Sequence, residues 1–209
     1  LRQLTDGPHN DIEPSYLPDG GIVFCSDRCN RWVNCWLTQV AVMYRCDADG
    51  SNLRTLSSNN EDENTPWPLP DGRILFGSTA PMRAVPCVNG SSHVANLFIM
   101  NARGTDVRQL CFDQEHNWCP TVMPNGRVLY LRWEYTDTPH SQTRLLFHMN
   151  PDGTGQMEFY GSNSYWPNGV FYARPVPGHP ARVAGIVTGL HGVRRMGELV
   201  IFDTARGRQ

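Results

Sequence analysis

Apolar residues in this chain gather in short runs that recur in a fixed order. One set comprises Ile22 to Phe24, Ile74 to Phe76, Val128 to Leu131 and Val183 to Val187; a second comprises Val40 to Tyr44, Leu97 to Met100, Leu145 to Phe147 and Leu199 to Phe202. Neither set alternates apolar with polar positions. That pattern predicts strands buried on both faces of a sheet. Ahead of each first-set run lies a turn, at Leu17-Pro18-Asp19-Gly20, Leu69-Pro70-Asp71-Gly72, Met123-Pro124-Asn125-Gly126 and the degenerate Val176-Pro177-Gly178-His179. The prolines are separated by steps of 52, 54 and 53 residues. Such a period is the signature of a repeat architecture.

Each repeat contains four predicted strands. A short one carries a proline (Glu13-Pro14-Ser15-Tyr16, Thr65-Pro66-Trp67, Cys119-Pro120-Thr121), and the turn and the two apolar runs follow. A second turn, at Asp49-Gly50-Ser51, Arg103-Gly104-Thr105 or Asp152-Gly153-Thr154, leads to a fourth strand at Leu53 to Leu56, Val107 to Leu110 or Gln156 to Tyr160. Four antiparallel strands per unit, covered on both faces by neighbouring units, define an all-β propeller with about four blades. The blades are expected near residues 12–57, 65–111, 119–160 and 170–203. Leu1-Arg2-Gln3-Leu4-Thr5 matches Leu53-Arg54-Thr55-Leu56-Ser57 and is expected to be a fourth-type strand. Either it completes the last blade of a closed ring, or the chain is a slice of a larger propeller in a longer protein.

The unit Arg-x-Leu-Thr/Ser, Pro-x-x-x-Pro-Asp-Gly-x-Ile-x-Phe, Asp-x-Asp-Gly resembles the repeat of TolB-type propellers over essentially the whole chain. Its longer units, with Cys25-Ser-Asp-Arg-Cys29, Arg132-Trp-Glu-Tyr135 and Met149-Asn-Pro-Asp-Gly-Thr-Gly-Gln156, are similar to the propeller of hydrazine synthase alpha-subunit-like proteins. The resemblance implies a larger ring, a periplasmic or extracellular location, contact with other proteins and further domains in the same chain. Proteins of the second group carry c-type haem. The attachment motif Cys-x-x-Cys-His is absent from this sequence, so no haem is expected on this segment.

Composition narrows the partners. The 209 residues are 40% hydrophobic and 18% charged, as in an ordinary globular chain. A formal net charge of −2 gives no basic excess for nucleic acid, although all 18 basic residues are arginine. No apolar run is long enough for a membrane span, and no signal peptide is visible. Of seven cysteines, Cys25 and Cys46 lie in apolar strands and are expected in the core. Cys29 with Cys35, and Cys111 with Cys119, either close short loops as disulfides or stay as partly buried thiols.

Connectivity puts the loops after second and fourth strands at one end of every blade, and these are the long, variable ones. Candidate binding residues there are His9, Asp11, Glu13, Glu61, Glu63, Glu115, His116, Trp118, Arg132, Trp133, Glu134, Tyr135, Trp166 and His191. The recurring acidic residues either hold a divalent cation or accept hydrogen bonds from loop backbone. The tryptophans either stack on a ligand such as a sugar or pack between blades; Trp67, on a first strand, is expected to pack. No Gly-x-Ser-x-Gly, phosphate-binding glycine loop or His-Glu-x-x-His occurs. The expected function is therefore a non-catalytic binding or scaffold segment for a protein, glycan or small ligand. The alternatives are a propeller supporting a haem-containing redox enzyme, and a hydrolase built on loop-borne His and Glu.

Overall fold

The structure, a computed structural model, describes residues 1–33, 38–57, 62–84, 93–133, 144–161, 166–167, 169–188 and 197–208. Every element among them is a β-strand. The chain divides into two compact units, Leu1–Phe112 and Asp113–Gln209.

The first unit contains two antiparallel sheets. One has the order β1 (Asp11–Tyr16), β2 (Ile22–Ser26), β5 (Val42–Cys46), β6 (Arg54–Thr55). A small hairpin of β3 (Trp32–Val33) and β4 (Thr38–Gln39) rises from the loop between β2 and β5. The other sheet is β7 (Glu63–Pro68), β8 (Ile74–Ser78), β9 (Asn96–Met100), β10 (Arg108–Gln109). The second unit repeats the plan with β11 (Asn117–Val122), β12 (Val128–Trp133), β13 (Arg144–Met149), β14 (Met157–Tyr160), and then β15 (Val170–Pro175), β16 (Arg182–Val187), β17 (Glu198–Asp203). These four meandering sheets are the blades that the repeat predicts.

Burial follows the sequence pattern in the first three blades; in the fourth, β17 leaves Leu199 and Ile201 77% and 62% exposed, against the expectation of burial on both faces. Every residue of β2, β8 and β9 is buried. Between the first two blades, Val23, Cys25, Met43 and Leu56 meet Ile74, Phe76, Phe98 and Met100 in one apolar cluster. Between the third and fourth, Leu129, Leu146, Phe159 and Tyr160 meet Val170, Val183 and Phe202. Each such side chain contributes about 1.5–3 kcal/mol through removal from water, so facing apolar surfaces hold neighbouring blades together.

Two expectations need correction. The third strand of the first blade begins at Val42 instead of Val40, because the Ala41 amide donates to Asp62 Oδ1 at 2.9 Å and the Val40 amide to the Arg31 carbonyl at 2.8 Å. Leu1–Thr5 forms no strand, and the fourth sheet has three strands among the described residues. Of the two states that the sequence leaves open for the loop cysteines, the thiol is the one present. Cys29, Cys111 and Cys119 are thiols. Cys29 points its Sγ at the Val40 carbonyl, 3.2 Å away, and Cys119 packs on Leu131 and Phe171. Cys35 lies outside the described residues. Cys25 and Cys46 are core residues, as expected. Trp67 is only half-buried on β7.

A feature invisible to strand propensity recurs in every blade. Glu13, Thr65, Cys119 and Tyr172 have φ of 55°, 47°, 52° and 52°, each inside a break in register between first and second strands. Their spacing is that of the repeat. The first three precede Pro14, Pro66 and Pro120, so each of these prolines marks a bulge and not a plain strand start. A left-handed backbone at threonine is costly and persists only where the surroundings impose it.

The two glycine turns differ in what surrounds them. At Gly72, with φ of +86°, nothing lies within 4 Å of where a Cβ would stand. At Gly104, with φ of +85°, a Cβ would run into the Leu56 carbonyl oxygen of the preceding blade's outer edge. Gly72→Ala should therefore cost only the left-handed penalty, about 1–2 kcal/mol. Gly104→Ala should cost at least about 1 kcal/mol more, because two backbone segments must also separate. Urea unfolding of the two variants checks the ranking, and equal losses would contradict the close approach.

Candidate functional site

Strand register brings the start of each first strand, the end of each second and the start of each third to one end of a blade. In the first blade Asp11 pairs with Ser26, and Ser26 with Val42. Around this end the polar side chains form two groups. Arg28 donates from Nη2 to Asp11 Oδ2 at 2.7 Å and from Nε to Oδ1 at 3.3 Å, and a further Nη2 bond reaches the Asp6 carbonyl at 2.9 Å. Asp27, directly after β2, accepts from the Asn10 amide at 3.0 Å and from Asn10 Nδ2 at 2.7 Å, and His9 Nδ1 lies 3.4 Å from its Oδ1.

Burial alone would raise the pKa of both aspartates. For Asp11 the bonds from Arg28, Ser26 and Thr5 outweigh it, and for Asp27 those from Asn10 and His9 do. Both carboxyls thus end below their ordinary value.

The other expected acidic residues also serve the scaffold. Glu13 Oε2 accepts the Thr65 amide at 2.6 Å, tying the bulge of the first blade to that of the second. Buried Glu63 accepts the Met43 amide at 3.0 Å and the Ser57 hydroxyl. These carboxylates satisfy backbone N–H groups that a bulged or ended strand leaves over. Of the two uses the sequence allows, hydrogen bonding to backbone is the one seen at Glu13 and Glu63. Among the described residues, no three of His, Cys, Asp and Glu gather as a metal ligand set.

The third blade brings several candidates together. His116 and Trp118 are half-buried and stack with ring centroids 4.3 Å apart at 16°. Trp133 lies parallel to His116, 5.6 Å away at 1°, and its amide donates to the His116 carbonyl at 2.9 Å. Trp133 itself is only 3% exposed; it is a packing residue, and the Arg144 guanidinium covers its ring with Cζ 4.5 Å from the centroid. Arg132 Nη1 pairs with Asp113 Oδ1 at 3.0 Å, and Asp113 Oδ2 accepts Asn117 Nδ2 at 3.0 Å. Glu115 is buried beneath this end, 2% exposed.

Trp166 stands apart, 54% exposed, with its ring 6.3 Å from Phe202. Glu61, Glu134, Tyr135 and His191 lie outside the described residues. Sequence reasoning missed Asp27, Asp113 and Arg144 as site residues. The signal for Asp27 was a lone carboxylate immediately after a fully apolar strand; Asp113 and Arg144 carried no comparable mark.

No family model matches the chain, and no curated protein matches it either. Solved structures do. A hydrazine synthase from Kuenenia stuttgartiensis superposes with a TM-score of 0.71 at 13% identity, over 93% of this chain and 31% of that one. An oligogalacturonate lyase in complex with manganese gives 0.64 at 11% identity, over 97% and 53%. TolB from Acinetobacter baumannii gives 0.62 at 14%, over 98% and 43%. The chain thus spans between about a third and about a half of the length of these proteins. At such identities the likeness establishes the fold, a β-propeller, consistent with the four small antiparallel sheets.

The carboxylate network sets a pH dependence. A carboxyl with a lowered folded pKa binds its proton more readily when unfolded, so its stabilisation is complete above its ordinary pKa of 3.8 and fades as the pH falls through the lowered value. Asp27→Asn should cost about 1–3 kcal/mol at pH 7, because Asn10 and His9 lose a charged acceptor. Near pH 3 the gap from the unsubstituted chain should narrow, as the native carboxyl itself takes up a proton. Urea midpoints at both pH values test this; a gap that widens in acid would contradict the assignment.

Proposed function

We propose that the chain is a non-catalytic β-propeller segment of an exported bacterial protein, holding a protein, glycan or small ligand at the long-loop ends of its blades. The observation that carries this reading is the half-buried His116–Trp118 stack at that end of the third blade, backed by Trp133 and flanked by the Arg132–Asp113 pair. Two near-parallel rings give a flat apolar wall, and the ion pair beside it supplies directional hydrogen bonding. Sugar rings and the aromatic side chains of a partner protein suit such a surface. The carboxylates elsewhere at the blade ends speak against a hydrolytic pair, since Asp11, Glu13, Asp27 and Glu63 already accept bonds from the scaffold.

The test is a titration of intrinsic tryptophan fluorescence with a panel of soluble oligosaccharides and unstructured peptides, with the mass of each bound compound followed afterwards. A binder whose Kd rises about tenfold or more in Trp118→Ala, and whose mass stays unchanged, is the expected result. Conversion of a bound compound that Glu115→Ala abolishes would overturn the non-catalytic reading. A panel without any binder would count against the binding surface itself.

A further inference from the structure

The turns between first and second strands share one geometry and differ in one chemical group. In each, the side-chain Oδ1 accepts a backbone amide two residues on: Asp19 from Gly21 at 3.0 Å, Asp71 from Arg73 at 3.0 Å and Asn125 from Arg127 at 3.1 Å. In the first two turns the remaining atom is Oδ2, and it holds a guanidinium. Arg45 Nη2 donates to Asp19 Oδ2 at 2.7 Å, and Arg73 Nε to Asp71 Oδ2 at 2.8 Å. Those bonds are the leading reason that both carboxyls lie below their ordinary pKa. In the third turn the same place belongs to the Asn125 Nδ2 amide, a donor that cannot take a guanidinium. Arg127 turns away instead. Its Nε donates to His148 Nδ1 at 2.9 Å, Nη1 to Asn150 Oδ1 at 2.6 Å and Nη2 to the Gly155 carbonyl at 2.6 Å. His148 lies opposite Leu129 as Ile99 lies opposite Leu75, so the second blade has no such acceptor and Arg73 stays on its own turn.

Asn125 is also followed by glycine. An asparagine in that position converts to aspartate without an enzyme, because no Cβ on the next residue hinders ring closure. Asn125 and Gly126 are both exposed, and nothing lies within 4 Å of where a Gly126 Cβ would stand. The Gly126 nitrogen attacks Asn125 Cγ, ammonia leaves, and a succinimide closes. Water then opens the ring: attack at Cγ gives aspartate, and attack at the main-chain carbonyl gives isoaspartate. The Arg127 amide on Oδ1 polarises Cγ for the first step. Against it, the Gly126 amide donates to the Met123 carbonyl at 2.9 Å. That bond must open before the nitrogen can reach Cγ, so conversion is slower than in an unfolded chain.

We propose that Asn125-Gly126 is a deamidation site, and that the aspartate formed there draws Arg127 off His148 as Asp71 holds Arg73. An amide donor becomes a charged acceptor at the one place where the equivalent turns already bind arginine. The clasp that joins the turn before β12 to the turn after β13 is then released. His148 Nδ1 loses both its donor and the nearest cation. Of the two charged groups that hold its proton off, Arg127 and Arg208, the second alone remains beside it. This chemistry lies at the tight-turn end of the third blade and is independent of the ligand proposed for the long-loop end.

Two measurements test it. The folded chain and an unfolded control are aged in mildly alkaline buffer, and peptide mapping by mass spectrometry locates the products. Asn125 should give aspartate and isoaspartate in the folded chain, more slowly than in the control. NMR then follows the titration of the histidine rings in the unsubstituted chain and in Asn125→Asp, with His148 assigned by its loss in His148→Gln. Aspartate already stands at this place in the first two blades, so the turn accommodates the substitution. The proton affinity of His148 should rise about tenfold or more in Asn125→Asp, a shift of about one pH unit upward from about 4. An Asn125 that stays intact while the control converts, or a His148 titration that does not move in Asn125→Asp, would overturn the proposal.

Discussion

A sheet whose middle strands are apolar on both faces cannot stand alone in water, and this constraint organises the whole molecule. β2, β8 and β9 have no solvent side, so the blades that carry them need cover in front and behind. Stacking small meanders face to face meets that demand with one supersecondary unit used repeatedly. The faces and turns are thereby committed to packing, and sequence variation is left to the loops at one end of each blade. That is why the aromatic and charged residues of functional interest collect there, and why their strand-end positions follow from the register.

The same repetition explains how the polar groups are used. Each first strand carries a bulge with a left-handed residue, and each bulge leaves backbone groups that a regular ladder would have paired. Glu13 answers this for the second blade, and Glu63 and Asp62 do so for the third strand of the first. A recurring acidic residue in a repeat protein thus serves the repeat before any ligand. On the other end of the third blade, Arg127 ties the hairpin to the Asp-Gly turn through Asn150 Oδ1 and the Gly155 carbonyl, both at 2.6 Å. Its Nε also donates to His148 Nδ1 at 2.9 Å. Burial and the neighbouring Arg127 and Arg208 hold the His148 pKa down to about 4, so the ring stays neutral over the physiological range.

The fold was legible because its determinants are periodic. Proline-aspartate-glycine turns and two unbroken apolar runs per unit leave few architectures to choose from. What escaped the sequence was local geometry. Left-handed φ at Glu13, Thr65, Cys119 and Tyr172 shares no side-chain chemistry; what the four share is a place inside the register break between first and second strands. Spacing left Cys111 and Cys119 open as a bridge or as two thiols, and only packing decides: the second lies beside Phe171. In the site, the His116, Trp118 and Trp133 grouping was legible from strand-end positions. Arg144 over Trp133 was not, because a lone arginine at a strand start carries no pattern.

Sheets with middle strands buried on both faces hold this molecule together, and native-state hydrogen exchange read by mass spectrometry measures that burial most directly. Amides of β2 and β5, β8 and β9, and β12 and β13 should exchange slowest and together, at rates set by global unfolding. Those of the two-residue outer strands β6 and β10 should exchange faster. Rapid exchange across β8 and β9 in the folded chain would contradict the central claim.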